Sequence, residues 1–209
     1  MFPLKKIMRI LIKFISAILF SSLTILFISC QNKFPLDTDL AKDNYELYNQ
    51  DSVKVNFPGF IKGKITVMGF IYTHCPDICP MTTHNMVLTE EKLKADGIDD
   101  VNFVILTFDP NRDTPSVLKK YAEIRGIDFK NWTMLWGDKK NTNALLKRFD
   151  ILAIPQDSTY SEDGELSYFI THTDRISLID RDAHLRKNFP GSRVNLNELI
   201  PDIKDLGDY

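Results

Sequence analysis

Apolar and polar positions fall along most of this chain in two distinct rhythms. Residues 65–73, ITVMGFIYT, are nearly continuous apolar and rich in β-formers, as expected of a strand covered on both faces of a sheet. Residues 101–108, VNFVILTF, form a second run of the same kind. Between them the spacing predicts a helix over 80–95, with Met81, Met86, Leu88 and Leu93 as buried positions and Gly97 as its stop. Thr114 and Pro115 make a good N-cap and first-turn pair for a helix that runs to Arg125, before Gly126. A short strand over 133–136, a helix over 141–149, a strand pair over 175–180 and 184–189 turning at Arg181 and Asp182, and a closing helix over 195–206 complete the pattern. Strands that alternate with helices predict an α/β fold, a central mixed β-sheet flanked by helices.

The first quarter of the chain follows neither rhythm. Lys5, Lys6, Arg9 and Lys13 precede an apolar run from Phe14 to Ile28, which stops at Ser29 and Cys30. That is the layout of an export signal: a basic region, an apolar region, then a small residue. The run is about fifteen residues, short for a retained span across about 30 Å of hydrocarbon. Phe27-Ile28-Ser29-Cys30 resembles the lipobox of bacterial lipoproteins, so Cys30 is the expected lipid attachment site and the remainder is expected to work outside the cytoplasm as a membrane-anchored lipoprotein. The polar stretch that follows, with scattered aromatics at Phe34, Tyr45 and Tyr48, reads as a tether leading into a first strand or hairpin near 53–55. The expected organisation is a signal peptide over 1–29, a tether over 30–52 and one domain over 53–209. Removing the signal leaves 22 Lys and Arg against 28 Asp and Glu, a net of −6. A mildly acidic chain without basic clusters argues against nucleic acid as a partner.

With Cys30 taken by lipid, Cys75 and Cys79 remain, in the segment YTHCPDICPM. They follow the first buried strand and open a helix, which is the order of a thioredoxin-like fold. Unpaired N–H groups and the positive end of the dipole at a helix start stabilise a thiolate, the form that attacks disulfides and binds metals. Cys75, at the junction itself, is the expected more reactive thiol. Three intervening residues, one more than in C-x-x-C, allow a disulfide and also suit a shared metal ion. Two thiolates leave most metal sites incomplete, so the histidines are weighed as a third ligand. His74 would point to the other side of the strand end, His84 lies off the face of Cys79, and His184 sits in a polar hairpin. His172, just before the strand at 175–180, lies at the sheet end that a thioredoxin-like topology brings opposite the cysteines.

Three segments together, GFIYTHCPDICP over 69–80, TFDPNRDT over 107–114 and HTDRISLID over 172–180, closely resemble motifs of the SCO/SenC family, thioredoxin-fold copper proteins that assist cytochrome c oxidase assembly. The resemblance runs from about Val53 to the C-terminus, in order and at similar spacing. It implies that Cys75, Cys79 and His172 bind copper. It also implies, as partners, a copper-receiving subunit of a respiratory oxidase, an upstream copper donor or thiol reductant, and the membrane through the N-terminal lipid. The family commonly carries Asp-His where this chain has Thr171-His172. Asp109, Arg112 and Asp113 match a family segment, but a turn and helix cap explain most of it, and they stay outside the expected site. Copper suits the donors: Cu(I) is soft and accepts low coordination, whereas Zn(II) would seek a fourth ligand. An alternative is an extracytoplasmic thiol-disulfide reductase or peroxide-reducing protein that uses Cys75 and Cys79 as a redox pair without metal. It would gain if Pro155, in the strand-like FDILAIP of 149–155, were the cis-proline that faces the cysteines in thioredoxins. Residues 156–169 instead read as an inserted hairpin turning at Asp163-Gly164.

Overall fold

A computed structural model describes residue 8, residues 33–160 and residues 166–209. The expected signal segment, Cys30 and the Asp163-Gly164 turn lie outside the described residues, and everything below concerns the unit Phe34–Tyr209. In chain order it comprises β1 (Thr38–Asp39), β2 (Tyr45–Tyr48), β3 (Lys54–Phe57), β4 (Thr66–Ile71), α1 (Ile78–Ala95), β5 (Asn102–Thr107), α2 (Pro115–Ile124), β6 (Trp132–Leu135) and α3 (Lys139–Arg148). Then follow β7 (Ala153–Pro155), β8 (Thr159–Tyr160), β9 (Leu166–Ser167), β10 (Ile170–His172), β11 (Ile176–Ile179), β12 (His184–Phe189) and α4 (Leu196–Gly207).

The main sheet has the order β1-β12-β11-β4-β5-β6. β4, β5 and β6 run parallel, while β11 pairs antiparallel with β4 and β12 antiparallel with β11. This is the mixed sheet of a thioredoxin-like α/β fold. All six residues of β4 are buried, which is why its sequence shows no alternation: both faces are covered. α1 packs on β4 and against α4, and α2 packs on β6. Gly69 permits the close approach of α1, because a Cβ there would stand 2.6 Å from the Met86 sulfur. Trp132 stacks on Phe103 with ring centroids 4.9 Å apart and donates its indole N–H to Glu90 of α1, at 2.9 Å. α2 opens as its sequence predicts, with the Thr114 side chain accepting from the Val117 N–H and Pro115 in the first turn.

Two features differ from expectation. Met81 is exposed, and Leu88 is only partly covered, while the inner face of α1 carries Thr82, Thr83 and Thr89. In keeping with the hairpin reading, Pro155 is not a cis residue; the one cis peptide among the described residues is Phe57-Pro58. Residues 156–169 do hold a hairpin, β8 paired with β9, set beside a separate ribbon in which β7 pairs with β10.

The second difference concerns the expected tether: from Phe34 onward it is built into the domain. The Leu36 and Leu40 N–H groups donate to the Arg186 and Ala183 carbonyls, covering the β12 side of the sheet. The hairpin β2–β3 covers the opposite edge: Tyr48 and Trp136 exchange backbone bonds of 2.7 and 2.8 Å, and the Gln50 side chain accepts from the Met134 N–H. A sheet edge presents unpaired backbone groups that need such cover. Leu40 and Leu47 are fully buried, and Leu47 lies so close to Gly137 that a Cβ there would be 2.5 Å away. Leu47→Ala is therefore expected to destabilise the protein by about 2–5 kcal/mol in urea unfolding. A change within about 0.5 kcal/mol, as for an exposed residue, would return this segment to the status of a tether.

Candidate metal centre

Cys75 and Cys79 emerge from the C-terminal end of β4, where the chain turns through Thr73 and His74 into α1. Cys75 lies ahead of the helix and its N–H donates to the Tyr72 carbonyl. Cys79 is the second helical residue, and Pro80 follows in the first turn, where a missing N–H costs little. The Cys79 N–H donates to the Cys75 sulfur at 3.5 Å. Both cysteines are free thiols and buried.

His172 ends β10 and is half-buried, wedged between Phe108 and Tyr72 with ring centroids 4.6 and 5.8 Å away. Its Nδ1 lies 3.1 Å from the Thr173 carbonyl. A carbonyl only accepts, so the proton of the neutral ring sits on Nδ1 and Nε2 faces the sulfurs. Nε2 is 3.6 Å from the Cys79 sulfur, and the ligand atoms of Cys75, Cys79 and His172 all lie within 4.8 Å of one another. Among the described residues no other group of His, Cys, Asp and Glu side chains has metal-site spacing. His74 and His84 are exposed, and His184 pairs with Asp37 at 2.7 Å near the β1 side of the sheet. The structure thus brings together the three expected ligands and leaves the other described histidines apart.

The two thiols are electrically unequal. The Cys79 thiol donates to the Cys75 sulfur, and with help from His172 and the Cys79 and Asp77 N–H groups this holds Cys75 well below the usual thiol range, against the opposing effect of burial. The same bond, together with burial, pushes Cys79 up. Cys75 is therefore the more acidic thiol of the pair. Burial pulls the His172 imidazole down, but the Cys75 sulfur, the Thr173 carbonyl and the nearby negative charge outweigh it and leave it raised.

Residues set aside at the sequence level hold the ligand-bearing loops. Asp113 is fully buried and accepts from the Thr73 N–H at 2.9 Å, from the Thr73 hydroxyl, and from the Thr107 hydroxyl at 2.5 Å. It fixes the β4 end two residues before Cys75. Asp109, also buried, accepts from Tyr168 and Arg112, and the Arg112 guanidinium lies 3.5 Å over the Tyr168 ring while donating to the Tyr168 carbonyl. This anchors the approach to β10. The DPNRDT segment thus braces both halves of the centre; its spacing suggested a cap because the partners are remote in sequence.

A thioredoxin-like sheet with two cysteines at a strand–helix junction and a histidine from a facing ribbon defines a class of metal-binding protein. The SCO1/SenC family profile matches residues 35–207, and the chain belongs to that family. It is 31% identical over 191 residues to an SCO2-like protein of Rickettsia typhi, covering 88% of this chain and 90% of that one. Among solved structures it is similar to Bradyrhizobium japonicum ScoI with copper bound, at 29% identity and a TM-score of 0.64 over 78% of this chain and 98% of that one. A SCO1/SenC family lipoprotein from Bacillus anthracis is similar at 28% identity and a TM-score of 0.70, over 86% of this chain and 99% of that one.

The unequal acidity of the two thiols gives a direct test. In the metal-free full-length protein the ultraviolet thiolate absorbance of one cysteine should persist on acidification, far below the ordinary thiol pKa of about 8.5. Cys75→Ser should remove that band at neutral pH, and Cys79→Ala, which removes the donating thiol, should move its inflection upward. Loss of the wild-type band already between about pH 8 and 9 would show that Cys75 is an ordinary thiol.

Proposed function

We propose that this protein is a copper chaperone that carries copper on Cys75, Cys79 and His172 and assists assembly of the dinuclear copper centre of a cytochrome c oxidase. The observation that carries the reading is the convergence of two sulfurs and one imidazole nitrogen within 4.8 Å. That donor set fits copper chemically: thiolates and imidazole suit soft Cu(I), which accepts low coordination, while the histidine offers a nitrogen donor for Cu(II). Delivery also needs access, and His172 is only half-buried on a two-stranded ribbon at the end of the sheet. The receiving partner would be a copper-binding subunit of the oxidase, and the supplier an upstream copper donor or thiol reductant.

We further propose that Cys30 carries a lipid that holds the domain at the membrane, outside the cytoplasm. The Phe27–Cys30 sequence supports this, as does the similarity to a Bacillus anthracis protein described as a lipoprotein. Among the described residues no helix is long and apolar enough to cross a membrane. A second reading, thiol-disulfide exchange, is favoured by the acidified Cys75.

His172 separates the two readings, because thiolate attack depends on pKa, nucleophilicity and access, whereas metal retention needs the third donor. Full-length protein should bind one copper, and Cys75→Ser or Cys79→Ser should abolish tight binding. His172→Ala should keep some Cu(I) but lose stable Cu(II). A His172→Ala strain should lose oxidase activity in copper-limited medium, partly restored by added copper, while the purified variant exchanges thiols with a model disulfide at near wild-type rate. Full oxidase activity of that strain in copper-poor medium, with failure only of the cysteine variants, would replace delivery by thiol reduction.

A further inference from the structure

Two residues beyond His172, the Asp174 carboxylate gathers three separate parts of the chain. Its Oδ1 accepts from the Thr82 hydroxyl and from the Ser192 N–H, each at 2.9 Å. Its Oδ2 accepts from the same N–H at 3.0 Å and from the Ser192 hydroxyl at 2.6 Å. Thr82 stands in α1 three residues after Cys79, so the carboxylate joins the strand end that bears one ligand to the helix that bears another. The Thr82 hydroxyl has one proton and two acceptors in reach, the Ile78 carbonyl at 3.0 Å and Asp174; the charged oxygen is the stronger.

The third part is the turn before α4, drawn in tightly. The Asn85 side chain of α1 donates to the Gly191 carbonyl at 2.9 Å. A Cβ at Gly191 would stand 2.5 Å from Asp174 Oδ1 and 2.7 Å from the Thr82 hydroxyl, so only glycine leaves room for the junction. The position of His172 needs such a tie. β10 lies outside the main sheet, and its bonds to β7, together with the Thr173 N–H to the Leu152 carbonyl, hold the ribbon to itself rather than to α1.

We propose that Asp174 is a positioning residue for the metal centre: its carboxylate ties the His172 strand end to α1 and to the Gly191–Ser192 turn, presenting the imidazole to the Cys79 sulfur before metal arrives. The proposal takes the ligand role of His172 from the function proposed above. A ligand held in place ahead of binding does not have to be ordered by the metal, and outer partners of metal ligands are commonly worth 10–100-fold in affinity.

Two measurements on full-length protein test it. In chelator competition, Asp174→Ala should weaken Cu(II) binding about 10–100-fold, and Asp174→Asn, which keeps an acceptor for Thr82 and Ser192, should recover most of the loss. In the same competition run with Cu(I), which the His172→Ala protein still holds, Asp174→Ala should weaken binding in the wild-type background and cost nothing further in the His172→Ala background, since the two residues act through one ligand. An equal loss in both backgrounds would overturn the proposal and mark a general structural effect. The second measurement needs no copper. The His172 ring protons, shifted by the Phe108 and Tyr72 rings, should move toward solvent values in metal-free Asp174→Ala and stay in place in Asp174→Asn. Unmoved His172 signals in a folded Asp174→Ala protein would overturn the clamp. If that variant does not fold, Ser192→Ala should show the same movement in smaller measure, and unmoved signals there count equally against it. If wild type and His172→Ala bind copper alike, the copper reading falls, and the ring-proton shifts still decide whether Asp174 positions the histidine.

Discussion

The antiparallel pairing of β4 with β11 is the constraint on which the centre depends. Gly69 lies opposite Ile176, so the C-terminal end of β4 and the N-terminal end of β11 meet at one end of the sheet. Cys75 and Cys79 follow the first and His172 precedes the second, so this register brings together residues with 92 others between Cys79 and His172. A slip of one residue would turn every β11 side chain to the opposite face and undo its packing. All four β11 residues and all six of β4 are buried, so the register is enforced by the core rather than by the site. The site in turn can stay partly open, because its geometry does not rely on its own packing.

What the centre adds is a graded polar frame around this register. Asp113 holds the chain before Cys75, Asp109 with Arg112 and Tyr168 holds the chain before β10, and Asp174 holds the chain after His172. Each carboxylate accepts from at least one donor distant in sequence, and for the buried Asp109 and Asp113 such bonds are how a buried acid is tolerated. Within that frame the two sulfurs are unequal: Cys75 is lowered and Cys79 raised, because two negative charges side by side disfavour each other.

The strands and helices that form the body were legible because burial on both faces leaves long apolar runs, as at 65–73 and 101–108. The three residues that converge at the centre were legible too, the cysteines from their place at a strand–helix junction and His172 from topology and family resemblance. Burial carried by short or polar stretches was not legible. The segment at 34–57 covers sheet edges largely through backbone bonds and a few side chains such as Leu40 and Leu47, so it reads as polar chain. The inner face of α1 is disguised by threonines: Thr83 and Thr89 satisfy their hydroxyls on carbonyls four residues back, at 3.0 and 2.7 Å, and so enter the interior at small cost. Met81 carries the apolar signal but faces outward. The carboxylate frame was invisible because its bonds span separations such as 40, 59 and 92 residues, which no local spacing encodes.

The central claim is that Cys75, Cys79 and His172 together form the copper site, and X-ray absorption at the copper edge of loaded full-length protein tests it most directly. Two sulfur scatterers and one imidazole are expected around each copper ion. A copper ion surrounded only by nitrogen and oxygen, or by sulfur without imidazole, would contradict it.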